Sequence, residues 1–86
     1  MIVVTHRSFN KKYVKLPKKL QKQTEDRIVL FSTESFHPLL DNHPLQGEWA
    51  GHRSINITGD YRAIFKQTIN AAIFVDIDTH HNLYGS

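Results

Sequence analysis

The 86-residue sequence lacks cysteine altogether, and it has only three prolines, four glycines and one tryptophan. Without thiols, neither a disulfide framework nor a thiolate zinc site can form. No apolar run approaches the roughly 18 residues that a membrane-spanning helix needs, and the N-terminus lacks the basic lead-in of a secretory signal. We therefore expect a soluble, cytoplasmic protein with no membrane partner.

Acidic residues are missing from the first 22 positions. That stretch carries seven lysines and arginines, whereas the rest of the chain has four against eight acids, and the net charge is +3. A basic segment of this kind is either an ordinary solvated helical face or a surface for phosphates or for an acidic protein partner. Charge alone leaves these interpretations open.

The remaining composition suits one small globular unit. Hydrophobic residues make up 40% of the chain and include five phenylalanines, so we expect a single domain over residues 1–86 with one core. A β-branched run at 2–5 predicts a first strand. Apolar residues at helical spacing predict one helix before Pro17 and a second helix after it, joined by a tight turn.

The second half of the chain changes from helical to strand periodicity. Alternating polar and apolar residues predict a strand at 55–58, and the turn signal Gly59-Asp60 precedes another at 61–66. A last strand is expected over 71–77. The order β-α-α-β-β-β predicts an α+β fold, in which an N-terminal helical hairpin packs on one face of an antiparallel sheet of about four strands.

Two segments carry a more specific signal. Residues 43–51 read His-Pro-Leu-Gln-Gly-Glu-Trp-Ala-Gly and lead into the strand and turn of 55–62, while residues 78–85 read Asp-Thr-His-His-Asn-Leu-Tyr-Gly. At this separation, the two segments together resemble the RelE/ParE toxin superfamily and are most similar to its YafQ branch. The resemblance is close over residues 43–85 and extends to the helical first half only in layout.

The resemblance implies a toxin of a two-gene, type II toxin–antitoxin module whose partner is a short acidic antitoxin encoded beside it. RelE-like and YafQ-like toxins are endoribonucleases, or mRNA interferases, that cut messenger RNA, typically on the ribosome, without a metal or another cofactor. ParE-like toxins share the RelE-like fold but inhibit DNA gyrase instead. We therefore expect mRNA and the ribosome as partners, with a gyrase inhibitor or a catalytically weakened binding protein as alternatives.

The chemistry of RNA cleavage defines the side chains that such a toxin needs. RNA supplies its own nucleophile, the 2′-hydroxyl, so the enzyme needs a base, an acid and a cation for the phosphorane. By the resemblance, His43 is the candidate general base, His80 the candidate general acid, and Arg62 the cation at the scissile phosphate. Histidine suits both proton transfers because its ordinary pKa lies near 6.5. Asp60 matches an acid that could orient a histidine, although an aspartate in a turn needs no such explanation.

The candidates for substrate binding are of three chemical kinds, aromatic, cationic and amide. They are Tyr84, Arg53, Asn56, Lys11, Lys15 and Lys18. Tyr84 would stack on an exposed base, or else pack the tail onto the sheet. Arg53 offers a second positive charge, and the three lysines would meet ribosomal RNA phosphates.

One position departs from the resemblance. YafQ-like toxins have a further histidine where this chain has Asn56, and an acid at the position of Ser54. An amide can hydrogen-bond a phosphate but cannot transfer a proton, so a weakened enzyme remains an alternative. We interpret Trp49 and Gly47 as structural, and because no His-Glu-x-x-His motif occurs, we expect no metal site.

Overall fold

The computed structural model describes residues 1–85, which form a five-stranded mixed sheet and three α-helices. The elements are β1 Ile2–Thr5, α1 Arg7–Tyr13, α2 Lys18–Thr33, β2 His43–Pro44, β3 Arg53–Asn56, β4 Tyr61–Gln67, β5 Ala71–Thr79 and α3 His80–Tyr84. Two 3-10 turns, Pro38–Leu40 and Gly47–Trp49, flank β2. Within residues 1–85 no helix is long and apolar enough to cross a membrane.

The helical hairpin lies where the sequence predicts it. Pro17 has no N–H to lose and its fixed φ is compatible with a helix start, so α2 begins directly after it. The Tyr13 hydroxyl of α1 donates a hydrogen bond of 2.5 Å to the Glu25 carboxylate of α2. This bond, together with burial, raises the pKa of Tyr13 to about 12 and fastens the two helices to each other.

An aromatic cluster joins α2 to the middle of the sheet. The ring of Phe31 packs edge-on against Phe65 of β4 and Phe74 of β5, with centroid separations of 4.8 and 5.4 Å. All three side chains are fully buried, and each such burial contributes roughly 1.5–3 kcal/mol. The cluster therefore determines which face of β4 and β5 lies under the helices.

A β-bulge in β5 keeps the later residues of that strand in register with this core. Phe65 is opposite Phe74 whereas Ile64 is opposite Asp76, which leaves Val75 as an extra residue between them. Strict alternation would place residues three apart on opposite faces. The extra residue returns Ile77 to the buried side, where it joins the core cluster.

The first strand pairs in parallel with the last, which corrects the expected all-antiparallel sheet. The strand order is β1-β5-β4-β3-β2, with Ile2 opposite Ala71 and Thr5 opposite Phe74. The helical hairpin carries the chain from β1 to the far edge of the sheet, so β5, the last strand of the antiparallel part, becomes the neighbour of β1. Side-chain alternation indicates which face a strand buries, but it does not indicate which neighbour the strand pairs with.

A two-residue strand is the second difference from the expected count of about four. In the part of the chain that the structure describes, β2 makes the fifth strand, with His43 opposite Ser54 of β3. Pro44 has no N–H to give to a ladder, which restricts it to an edge position. Two residues of this kind carry no periodic pattern, so the sequence does not predict the strand.

Candidate functional site

The face of the sheet that points away from α1 and α2 holds several of the predicted site residues. Residues paired directly across neighbouring strands project from the same face. One row contains His43, Ser54, Ile64 and Asp76, and the next contains Asn56, Arg62 and Asp78. We call this surface the outer face.

The C-terminal helix crosses part of the outer face. At its start, the His80 amide donates to the Asp60 carbonyl in the β3–β4 turn, at 2.8 Å. Near its end, the Leu83 carbonyl accepts a hydrogen bond of 3.4 Å from the Trp49 ring nitrogen, in the loop before β3. Ile64 lies on the outer face yet is fully buried, so this part of the outer face is covered.

The ring of His43 is held in an orientation that suits a general base. Its Nδ1 lies 2.7 Å from the main-chain carbonyl of Asp41 and 3.7 Å from the Asp41 carboxylate. Asp41 has a left-handed backbone, with φ of 45°. Because a carbonyl oxygen only accepts, Nδ1 carries the proton in the neutral ring, and Nε2 keeps the free lone pair.

The guanidinium of Arg62 is fixed over the β3–β4 turn. Its Nη1 donates to the carbonyls of Thr58, Gly59 and Tyr61 at 2.9, 3.2 and 3.1 Å. Within residues 1–85, its Nη2 and Nε have no hydrogen-bond partner. One side of the group therefore remains available to a phosphate, for which a planar guanidinium is well shaped.

Four polar side-chain atoms are buried without a hydrogen-bond partner among the described residues: the Asn56 amide oxygen, the Ser54 hydroxyl, the Tyr84 hydroxyl and the Arg27 Nη1. Asn56 and Ser54 lie on the outer face. Buried polar atoms are normally paired. Two of the four unpaired atoms, those of Ser54 and Asn56, therefore lie on the face that carries His43 and Arg62.

The two candidate proton-transfer histidines are not in contact with each other. The exposed His80 ring packs edge-on against Tyr84, with 4.6 Å between centroids. The His80 amide donates to the main-chain carbonyl of Asp60, and within residues 1–85 no histidine donates a hydrogen bond to the Asp60 carboxylate. No group of three or more His, Asp or Glu side chains in that range is arranged to hold a metal ion.

Arg53, the predicted second cation, lies on the opposite face of the sheet from Asn56 and Arg62. It is opposite Phe65 of the core, not in the outer-face rows. Its Nε donates to the Asn42 side chain at 2.8 Å, and its guanidinium lies 5.4 Å from the centre of the Phe36 ring. These contacts hold the loop before β2, and the structure does not bring Arg53 together with His43 and Arg62.

The predicted lysines are exposed, but the one between them was missed. Lys11, Lys15 and Lys18 make no ion pair within residues 1–85. Lys12 reaches Asp76 at 2.8 Å and Asp78 at 3.1 Å. A run of basic residues gives no sign of a pair between positions more than 60 residues apart, so only the fold reveals it.

Asp78 links three elements of the structure. Its carboxylate accepts hydrogen bonds from Lys12 of α1, from the Asn82 side chain of α3 and from the Thr79 amide, at 3.1, 2.9 and 2.8 Å. Burial alone would raise the pKa of Asp78, but the bonds from Asn82, Thr79 and Lys12 hold it below its usual value. For Lys12, burial lowers the pKa, but the hydrogen bonds and negative charges of Asp76 and Asp78 outweigh burial. The pKa of Lys12 is therefore raised above its usual value.

The sequence is similar to known toxins over almost its whole length. The model of the family described as the bacterial toxin of type II toxin–antitoxin system, YafQ, matches residues 1–85. The mRNA interferase toxin YafQ of Escherichia coli (strain K12) is 31% identical over 58 residues, which are 67% of this chain and 63% of that toxin. The alignment thus covers slightly less than two thirds of that relative.

Solved structures have the same fold. The crystal structure of YafQ from E. coli strain BL21(DE3) has a TM-score of 0.78 and 25% identity, covering 96% of this chain and 97% of that chain. A chain of the crystal structure of the E. coli DinJ–YafQ toxin–antitoxin complex has a TM-score of 0.76 and 27% identity, covering 96% of both. The predicted α+β, RelE-like fold is confirmed.

The Lys12 ion pairs should contribute measurably to stability. We expect Lys12→Gln to lower the free energy of unfolding by about 1 kcal/mol near pH 7, the upper end for exposed pairs, because one ammonium meets two carboxylates. Urea denaturation measures the change. Lys11→Gln, on the same helix and without an acidic partner in residues 1–85, is the matched control and should leave the midpoint unchanged.

The difference in unfolding free energy between the wild-type protein and Lys12→Gln should depend on pH. The pKa of Asp78 is lowered from 3.8 by folding, so its contribution is present above that pH and is lost as the pH falls through the folded value. The pKa of Lys12 is raised from 10.5, so its contribution is present below that pH and is lost above the folded value. A stability difference that does not shrink as the pH falls below 3.8 would contradict the assignment.

Proposed function

This chain belongs to the YafQ family of bacterial type II toxin–antitoxin toxins, and on that premise we propose that it is an endoribonuclease that cleaves messenger RNA without a metal ion. The related E. coli protein is named an mRNA interferase toxin. The observation that carries the proposal is the ring of His43, anchored through Nδ1 on the same face as Arg62. In the proposal, this arrangement presents a basic nitrogen and a cation to the same RNA.

In the proposed reaction the substrate provides the nucleophile. Nε2 of His43 removes the proton of the 2′-hydroxyl, and the 2′-oxygen attacks the adjacent phosphorus. Arg62 balances the charge that develops on the phosphorane. The bond from phosphorus to the 5′-oxygen breaks as His80 donates a proton to that oxygen. The products are a 2′,3′-cyclic phosphate and a 5′-hydroxyl.

The other candidate residues have supporting roles in this scheme. Asn56 lies directly opposite Arg62 and is proposed to hydrogen-bond the phosphate through its amide nitrogen. Tyr84 packs against His80 and is proposed to stack on a neighbouring base. Asp60 positions the start of α3 through its carbonyl, which is the role that we now propose for it.

Two partners belong to the proposal. A toxin of this family has been crystallised with its antitoxin DinJ, and we propose that this chain likewise binds a short acidic antitoxin. We also propose that it acts on the ribosome, where the exposed lysines at the end of α1 and the start of α2 would meet ribosomal RNA phosphates.

Replacing the proton-transfer residues tests the proposal most simply. His43→Ala and His80→Ala should each lower the rate of RNA cleavage by about 10²–10⁴, the usual effect of removing a positioned acid or base. Arg62→Ala should also lower it through lost charge stabilisation. The matched control is His81→Ala, which removes an exposed histidine next to His80 and should keep the wild-type rate.

Thermal denaturation should show that these variants remain folded, because none of the four side chains belongs to the core. A protein that inhibits growth equally well with His43, His80 and Tyr84 all replaced by alanine cannot act as this ribonuclease. In that case, inhibition of DNA supercoiling becomes the activity to measure.

The proposed contact of the exposed lysines with ribosomal RNA should make ribosome binding depend strongly on salt concentration. Changing Lys11, Lys15 and Lys18 to glutamine should weaken binding and reduce the slope of log affinity against log salt by about 2–3, since each neutralised phosphate releases counterions. Lys66→Gln, which removes an exposed charge from β4, should have little effect. An unchanged slope in the triple variant would show that these lysines do not contact RNA phosphates and form an ordinary solvated surface.

A further inference from the structure

A groove of about 480 Å³ lies between the 3-10 turn Gly47–Trp49 and the last turn of α3. Its size falls within the roughly 300–1,000 Å³ of small-ligand sites. Trp49 and Tyr84 line it, and the Trp49 ring nitrogen donates to the Leu83 carbonyl at 3.4 Å. The Trp49 ring also packs against the ring of His52, 5.4 Å away and nearly perpendicular. Two aromatic residues, Trp49 and Tyr84, therefore line the groove, and contacts with Leu83 and His52 hold the Trp49 ring in place.

The groove lies next to the proposed general acid. Tyr84 lines the groove and also packs against the His80 ring at 4.6 Å. A molecule in the groove is thus separated from His80 by one side chain. If His80 protonates the leaving oxygen, the groove has the right position for the nucleotide beside the scissile phosphate.

The charge of the lining favours a base over a phosphate. Among the described residues, no lysine or arginine lines the groove, and its one ionisable acidic group is the exposed Glu48. A carboxylate repels phosphate but accepts hydrogen bonds from the amino groups of bases. Gln46 and Asn82 add amide groups to the same lining, and stacking on aromatic rings accommodates the flat face of any base.

We infer that this groove is a nucleobase subsite, in which a base beside the scissile phosphate contacts Trp49 and Tyr84 and presents an exocyclic amino group to Glu48. The subsite prefers adenine or cytosine to uracil, because uracil has no exocyclic amino group and its single N–H lies between two carbonyl oxygens that the carboxylate would repel. This inference rests on the proposed function, and it adds a source of sequence preference. It also gives Trp49 a role in binding beyond the structural one expected from the sequence.

The single tryptophan of the chain makes occupancy of the groove directly observable. The probes are three single-stranded hexanucleotides of 2′-O-methyl adenosine, cytidine and uridine, which lack the 2′-hydroxyl and cannot be cleaved by the proposed reaction. Adding the adenosine or cytidine probe should quench Trp49 fluorescence with an affinity about 10-fold higher than that for the uridine probe. Tyr84→Ala should weaken binding of every probe by about 10-fold, the loss expected for one stacked base.

Glu48→Gln tests the preference without disturbing the core, since Glu48 is exposed. It should bring the affinities for the three probes to within about 2-fold of each other, because an amide can both donate to and accept from a base. The matched control, Glu34→Gln, removes an exposed acid at the end of α2 and should leave the preference intact.

The outcomes separate this inference from the proposed function. Quenching with the stated preference, in a protein that does not cleave unmodified RNA, would support the groove and overturn the ribonuclease. Cleavage of unmodified RNA, together with unquenched Trp49 or with an adenosine preference that survives Glu48→Gln, would overturn the groove and leave the ribonuclease standing. Quenching by inorganic phosphate at the same affinity would also overturn it, because the groove would then be an anion site.

Discussion

The packing of Phe31 against Phe65 and Phe74 decides which side of the sheet becomes core. Side chains alternate along β4, so burying Phe65 under α2 turns Arg62 to the outer face. In β5 the bulge at Val75 lets the strand continue with its apolar residues inside and its carboxylates outside. The position of the candidate site thus depends on the core beneath it.

The outer face carries two aspartates whose negative charge is compensated by a lysine. Asp76 and Asp78 stand on the face that is proposed to receive a polyanion, and two free carboxylates there would repel it. Lys12 compensates by pairing with both, which leaves Arg62 as the cation nearest the β3–β4 turn. Asp78 also accepts from Asn82, so the same neutralised carboxylate holds α3 in place.

The sequence predicts the helices and strands whose apolar residues recur at a regular spacing. Helical spacing around Pro17 and alternation in the second half place two helices and three strands to within a few residues, and the motifs of residues 43–51 and 78–85 indicate the family. Three other features depend on which elements meet in space: the parallel pairing of β1, the short strand β2, and the face of the sheet on which Arg53 lies. The ion pair between Lys12 and Asp78 also depends on the tertiary structure, as does the left-handed backbone of Asp41, whose carbonyl contacts His43. No local sequence pattern indicates either feature.

We propose that His43, Arg62 and His80 cleave RNA through its own 2′-hydroxyl. The most direct measurement is the chemistry of the product ends, made in the presence of EDTA on an RNA with one 2′-deoxy position at a mapped cleavage site. The account predicts undiminished cleavage at the unmodified sites, with 2′,3′-cyclic phosphate and 5′-hydroxyl ends, and none at the deoxy position. Ends with a 5′-phosphate, or cleavage that stops in EDTA and returns with added metal, would contradict it.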